Sequence, residues 1–398
     1  DVSLRREAWK AQWGPPGTSR EGMDRLVEAQ GNPATRLLAL ELARRIAAAR
    51  ADTAEHERLL RLQLADGSAG TREIVEWWLL LASTGRLDAA RRAARELVPV
   101  LGGRRASETR MAATALLTLN LAPEAVKLLE SAAVARHRDM GLWMLRAGAL
   151  RALGRWEDLG MFATDLLQRR GAGRDALALG MVLRAASESK LGQPDLARAA
   201  VRTLVDSAEV DGGMLVRMAG WLAETGLREE ALALMRRAEA AMSGNPSYWA
   251  QRTLLAGGCG NMDDMVESSR RALGFAPADP RLRNNHAAAL IAARQEPAEA
   301  VLLTLQNVQQ FPLEPKYRVN HALALLANDR VAEARKALDE VATAAMPPEQ
   351  EASLHLAWTE LLVLEGKMAE ARQRMARINR SLLLPFQEAR LDELAGRL

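Results

Sequence analysis

A short turn followed by a small residue recurs along this chain about every 34 residues, and a period of that length admits few folds. The motif is a glycine or other turn former, four mostly polar or small residues, then a small residue that opens an apolar-periodic helix. Its clearest copies are Gly85 to Ala90, Gly192 to Ala197, Gly226 to Ala231 and Gly366 to Ala371. Aligned on the small residue, nine copies fall at Ala90, Ala125, Leu159, Ala197, Ala231, Met265, Ala300, Ala334 and Ala371. Successive intervals are 35, 34, 38, 34, 34, 35, 34 and 37 residues.

A stretch of apolar residues at helical spacing precedes each turn, as at Trp249, Thr253, Leu254 and Gly257, and a second follows it, as at Ala231, Leu234, Met235 and Ala238. Each unit is therefore expected to be a hairpin of two amphipathic helices, A and B, with glycine supplying the unusual backbone angles of the turn. The aligned position is small because helix B must approach helix A of its own unit and of the next. Leu159 and Met265 depart from that rule, so their units are expected to be the loosest. Pro277 and Pro312 sit where a next unit begins, with Pro246 and Pro347 close to the same place, since proline cannot continue the preceding helix. Composition agrees with an all-α array. Hydrophobic residues make up 48% but aromatics only 4%, and β-branched runs of the kind strands need are almost absent.

The 34-residue period, Trp143 and Trp249 near the start of helix A, Trp77 and Trp358 one turn later, the turn glycines and the helix B alanines together resemble the tetratricopeptide repeat. The resemblance covers roughly residues 71–385. It implies a right-handed superhelical solenoid of antiparallel hairpins, about nine repeats, with helix A lining a concave wall. Residues 1–70 are an irregular helical segment, in which the turn around Gln30 to Pro33 suggests a degenerate repeat over about residues 18–50 and an extra helix near Thr53 to Leu64. Residues 386–398 are expected to form a capping helix.

Sequence motifs for catalysis are missing. None of the histidines at 56, 137, 286, 321 and 355 has metal-ligand spacing, and His56-Glu57 fails as a zinc-protease motif because Leu60 stands where the second histidine belongs. No phosphate-cradling loop or nucleophile elbow appears, and Cys259, the single cysteine, reads as a small turn residue. Glu229-Glu230 and Asp263-Asp264 open B helices, where they offset the helix dipole. The chain is accordingly read as a non-enzyme with no cofactor and no metal. Its 54 basic and 50 acidic residues are interspersed, and the basic ones are nearly all arginine, which suits a GC-rich genome better than a nucleic-acid surface. The longest apolar stretches, Trp77 to Ala82 and Ala176 to Leu183, are far shorter than the ~20 residues a bilayer span needs. The start at Asp1 suggests that something has been removed, whether a signal peptide, an anchor, a tag or a further segment, and the basic residues and two tryptophans of residues 1–13 suit a stretch just outside a membrane anchor. That favours an envelope-associated or periplasmic place, with an ordinary amphipathic helix in a cytoplasmic protein as the alternative.

The resemblance also indicates where recognition would occur. Fourteen residues before the aligned small residue is a place that the family exposes to the groove, and it reads Glu76, Met111, Leu145, Leu183, Arg217, Gln251, His286, Asn320 and Ala357. Arg217, Gln251, His286 and Asn320, with Asn285 beside them, would form a polar ladder able to meet the main chain of a bound peptide. Three places on, Gly220, Leu254, Ala289 and Leu323 would leave room for apolar side chains. The expected function is a scaffold or adaptor that holds a partner's peptide or helix, in a bacterial-style assembly. Two alternatives stand beside it: an RNA-binding helical-repeat protein, against which the intervals of 38 and 37 argue, and a substrate arm of an enzyme whose catalytic part lies elsewhere.

Overall fold

The structure is a computed structural model that describes residues 2–32, 34–101, 105–131, 138–169, 171, 173–206, 210–342 and 346–398. Asp1, Pro33 and His137 lie outside the described residues, as do the readings that rest on them. The described residues form α-helices, two short 3-10 turns and loops, and the chain divides into two compact units, 1–161 and 162–398.

The first unit holds α1 (Val2–Trp13), α2 (Pro16–Gln30), α3 (Arg36–Ala49), α4 (Thr53–Ala65), α5 (Thr71–Ser83), α6 (Leu87–Leu97), α7 (Ala106–Thr118), α8 (Ala122–Leu129) and α9 (Met140–Ala152). The division falls within α10 (Trp156–Gln168). The second unit continues with α11 (Arg174–Lys190), α12 (Pro194–Asp206), α13 (Gly212–Glu224), α14 (Arg228–Met242), α15 (Pro246–Gly258), α16 (Met262–Phe275) and α17 (Pro280–Ala293). It ends with α18 (Pro297–Gln310), α19 (Pro315–Ala327), α20 (Val331–Asp339), α21 (Pro348–Leu364), α22 (Met368–Met375) and α23 (Pro385–Ala395).

Within each unit, consecutive helices pack as antiparallel hairpins, and each A helix also packs on the next, as α15 does on α17, α17 on α19 and α19 on α21. The aligned alanines lie where these helices meet, and Ala90, Ala125, Ala197, Ala231, Ala300, Ala334 and Ala371 have no exposed surface. Met265 fits because its hairpin partner is trimmed. A Cβ added at Gly257 would stand 3.0 Å from the Met265 sulfur, so the volume gained on helix B is given up on helix A. The looseness expected of that unit is not what its packing shows, and Leu159 is equally enclosed. Prolines 246, 280, 315 and 348 occupy the first turn of successive A helices, where a missing N–H costs nothing.

From the α3–α4 hairpin onward, each A–B turn contains a residue with positive φ. These include Gly85 (79°), Asn120 (58°), Gly226 (93°), Gly260 (72°) and Asp329 (56°). Ala51, between α3 and α4, has φ 54° and lies one period before Gly85, which places α3 and α4 in the same register as the hairpins downstream. The helix expected to stand as an extra one after a degenerate repeat ending at residue 50, Thr53–Ala65, is instead the B partner of α3. An alanine there hides the turn from a search for glycine. Replacing Ala51 by glycine should raise the stability of the first unit by about 1 kcal/mol, because a β-carbon is strained at that angle; a chemical-denaturation comparison checks it.

Candidate functional site

In the second unit the A helices α15, α17, α19 and α21 stand side by side. Counting from the left-handed turn residue, rather than from helix B, gives one register for α13, α15, α17 and α19. Nine residues before Gly226, Gly260, Arg294 and Asp329 lie Arg217, Gln251, Asn285 and Asn320. Arg217 and Gln251 are exposed, and Asn285 and Asn320 are half-buried. The Asn320 amide donates to Asn284 Oδ1 at 2.8 Å, joining α19 to α17.

His286 is a correction to the expected ladder. It is 1% exposed and faces the core, with Nδ1 at 2.9 Å from the Ser269 hydroxyl. The turn after α17 is one residue longer than its neighbours, with both Arg294 (φ 53°) and Glu296 (φ 44°) left-handed, so a count of fourteen back from Ala300 stops one short. The wall position is Asn285. By the same slip Ala289 is buried, and Ala288 takes its place on the wall. At other predicted wall positions, Leu183 and Ala357 are buried, while Glu76, in the first unit, is held by Arg44 and by His56 Nε2 at 2.9 Å.

Asn285, Asn320, Leu254 and Leu323 line one cavity of about 890 Å³. Arg217, Gln251 and His286 do not. Leu254 is 64% exposed, a large apolar group presented rather than packed. The far side of the cavity is formed by α23 through Phe386, Gln387, Arg390 and Glu393. Periodicity gave no sign of this, because α23 lies outside the repeat.

Beneath the wall, charged groups are tied to one another. Arg252, 8% exposed, donates through Nε to Asp264 Oδ1 at 2.7 Å and through Nη1 to Glu239 at 2.6 Å and to the Tyr248 hydroxyl at 3.0 Å. Arg236 Nε reaches the other Asp264 oxygen at 2.8 Å. Burial opposes the Arg252 charge, yet Glu239, Asp264 and Tyr248 outweigh it and hold the guanidinium above its ordinary range. Asp264 therefore clamps three helices in addition to sitting at the start of helix B.

Chemistry finds little purchase in these groups. Ser269, His286 and Glu299 follow one another as a nucleophile, base and acid would, with His286 Nε2 at 3.7 Å from Glu299. The Ser269 hydroxyl, however, is 1% exposed and donates to Val266 O at 2.9 Å, so a substrate cannot reach it. Burial, helped by the Glu229 carboxylate, pushes the Cys259 thiol up to about 11, so it stays protonated at neutral pH. Among the described residues no group of three or more His, Cys, Asp or Glu converges as a metal site, and no helix is long and apolar enough to cross a membrane.

Burial, with Arg270 nearby, depresses His286 to about 4, against 6.5 for a free histidine. Its folded pKa is thus below its unfolded one, and the unfolded chain binds more protons between those values. Stability from this group is complete above pH 6.5 and is lost as pH falls toward 4. His321 and His355 are lowered by burial as well, with the same sign. The second unit should therefore unfold at lower urea concentration at pH 4.5 than at pH 7. A His286→Gln chain, which keeps a partner for Ser269 but cannot titrate, should show less of that difference.

No protein-family profile matches the sequence, and no curated protein matches it. Solved structures do. A tetratricopeptide repeat protein from Parabacteroides merdae aligns at TM-score 0.46 and 14% identity, over 64% of this chain and 96% of that one. The C-terminal part of a TPR repeat-containing protein from Cytophaga hutchinsonii aligns at 0.38 and 13%, over 59% and 96%. The APC/C hetero-tetramer Cut9-Hcn1 aligns at 0.38 and 16%, over 90% and 70%.

Proposed function

We propose that this chain, an all-helical array of tetratricopeptide-type hairpins, is a protein-interaction scaffold whose recognition surface is the wall of A helices in its second unit. The observation that carries the reading is the pairing of half-buried amides, Asn285 and Asn320, with the exposed Leu254 and the half-buried Leu323 around one cavity. Amides offer donors and acceptors to a partner's polar groups, and the leucines offer the apolar contact that makes such a site bind. Arg217 and Gln251 continue the polar row beyond the cavity. A peptide or short helix of another protein is the ligand that suits this combination.

The test is capture of partners from the native organism's lysate by the intact chain and by a Gln251→Ala, Asn285→Ala, Asn320→Ala variant with unchanged helical circular dichroism. A protein retained by the first and lost by the second is the expected result. Equal capture by both would assign recognition to another surface. A place in an envelope assembly is a finer reading, favoured by Trp9 and Trp13, which are 62% and 69% exposed on one face of α1. Recovery of the protein in the envelope fraction of its native cells would support it, and recovery wholly in the cytoplasmic fraction would oppose it.

A further inference from the structure

The last helix, α23, lies outside the repeat but crosses the wall that the repeats build. It packs on α21 and reaches α15, three hairpins upstream. Its two sides are held differently. Leu391 and Leu394 are buried in an apolar cluster with Leu356, Leu362, Ile378 and Leu383. Toward the cavity the contacts are mainly polar: Arg390 pairs with Glu360, Glu393 with Arg294, and Gln387 Nε2 donates to Ser353 Oγ at 3.0 Å, while Phe386 adds an apolar contact.

The cavity of about 890 Å³ lies between this helix and the wall. Here α23 covers the wall without filling it, and an 11-residue helix has little tendency to persist except by its contacts.

We propose that α23 is a resident, displaceable occupant of the wall, and that the protein segment which replaces it is an amphipathic helix of the same pattern. That pattern is a large apolar residue, a cation four positions later and an anion three after that, as in Phe386, Arg390 and Glu393. The inference rests on the reading of the wall as a recognition surface. Charge sets the requirement. Glu360 is 9% exposed beneath α23, so an incoming helix that covers it again without a cation of its own would bury an unpaired carboxylate. Arg294, 65% exposed at the rim, selects an anion at the other end.

The experiment uses a fluorescent peptide that copies residues 384–397 and three forms of the full chain, with binding followed by anisotropy. One form is unaltered. The second carries Arg390→Glu and Glu393→Arg, which loosen α23 and leave the wall intact. The third has Ser353→Cys and Gln387→Cys joined by a short bismaleimide, with Cys259→Ser to remove the native thiol. Helical circular dichroism and thermal melting confirm that each is folded. The loosened chain should bind the peptide at least tenfold more tightly than the unaltered one, and the linked chain should not bind it. A peptide with glutamate at the Arg390 position should bind the loosened chain at least tenfold more weakly. Equal binding by the linked and loosened chains, or binding by none of the three, overturns the proposal. If none binds the peptide while the wall variant still loses its native partner, this inference alone falls.

Discussion

Replacing Arg252 by methionine should lower the stability of the second unit by about 3–5 kcal/mol, the cost of removing one partner from a buried ion pair. The arginine joins α15 to Glu239 on α14 and Asp264 on α16, and Asp264 is itself 8% exposed. Methionine keeps most of the side-chain volume, so the loss measures the electrostatic and hydrogen-bonding part, with Asp264 left to Arg236 alone. Arg271 provides the control. Both arginines lie over the Trp249 ring, Arg252 at 5.4 Å and Arg271 at 5.1 Å from the centroid, but Arg271 is exposed, and Arg271→Met should cost less than about 1 kcal/mol. Urea denaturation of the two variants compares them. Similar small losses would show that the network adds little to the fold.

Replacing Gly22 by valine should cost the first unit about 3 kcal/mol or more. A β-carbon at Gly22 would stand 2.6 Å from the carbonyl oxygen of Glu7 and 2.7 Å from the backbone nitrogen of Ala11, so α1 and α2 would have to separate. Backbone atoms cannot swing aside as a side chain would. A β-carbon at Gly220, exposed in the middle of α13, would meet nothing within 4 Å, and Gly220→Ala should stabilise by about 0.5–1 kcal/mol through helix propensity. Thermal melts should therefore move in opposite directions for two glycines that look alike in the sequence. A Gly22 variant that melts like the parent would contradict the close approach of the two helices.

The repeat was legible because its cause is local. A small residue is required where helix B meets helix A, and the aligned alanines are all enclosed in the structure. What could not be read depends on compensation or on distance along the chain. Met265 looks like a misfit until Gly257 is seen opposite it. His286 looks like a wall residue until the longer turn at Arg294 to Glu296 shifts the count to Asn285. The hairpin of α3 and α4 escaped because Ala51, not glycine, takes the left-handed angle. Leu254 and Leu323 both line the cavity, three places on from Gln251 and Asn320, since their turns have the ordinary length. The far side of that cavity was out of reach of any periodicity, because α23 repeats nothing and finds its place only through partners such as Glu360, 30 residues away, and Arg294, 99 away.

The most direct test of the wall as a recognition surface is site-specific photo-crosslinking in the native cells. A photoreactive residue is placed at Asn285 or Asn320 on the wall, and in a control at Leu302, which is 62% exposed on helix B of the same hairpin as Asn285. Crosslinks from both wall positions to one protein, and none to it from Leu302, are the predicted result. Crosslinks to that protein from Leu302 alone, or equally from all three positions, would contradict the account.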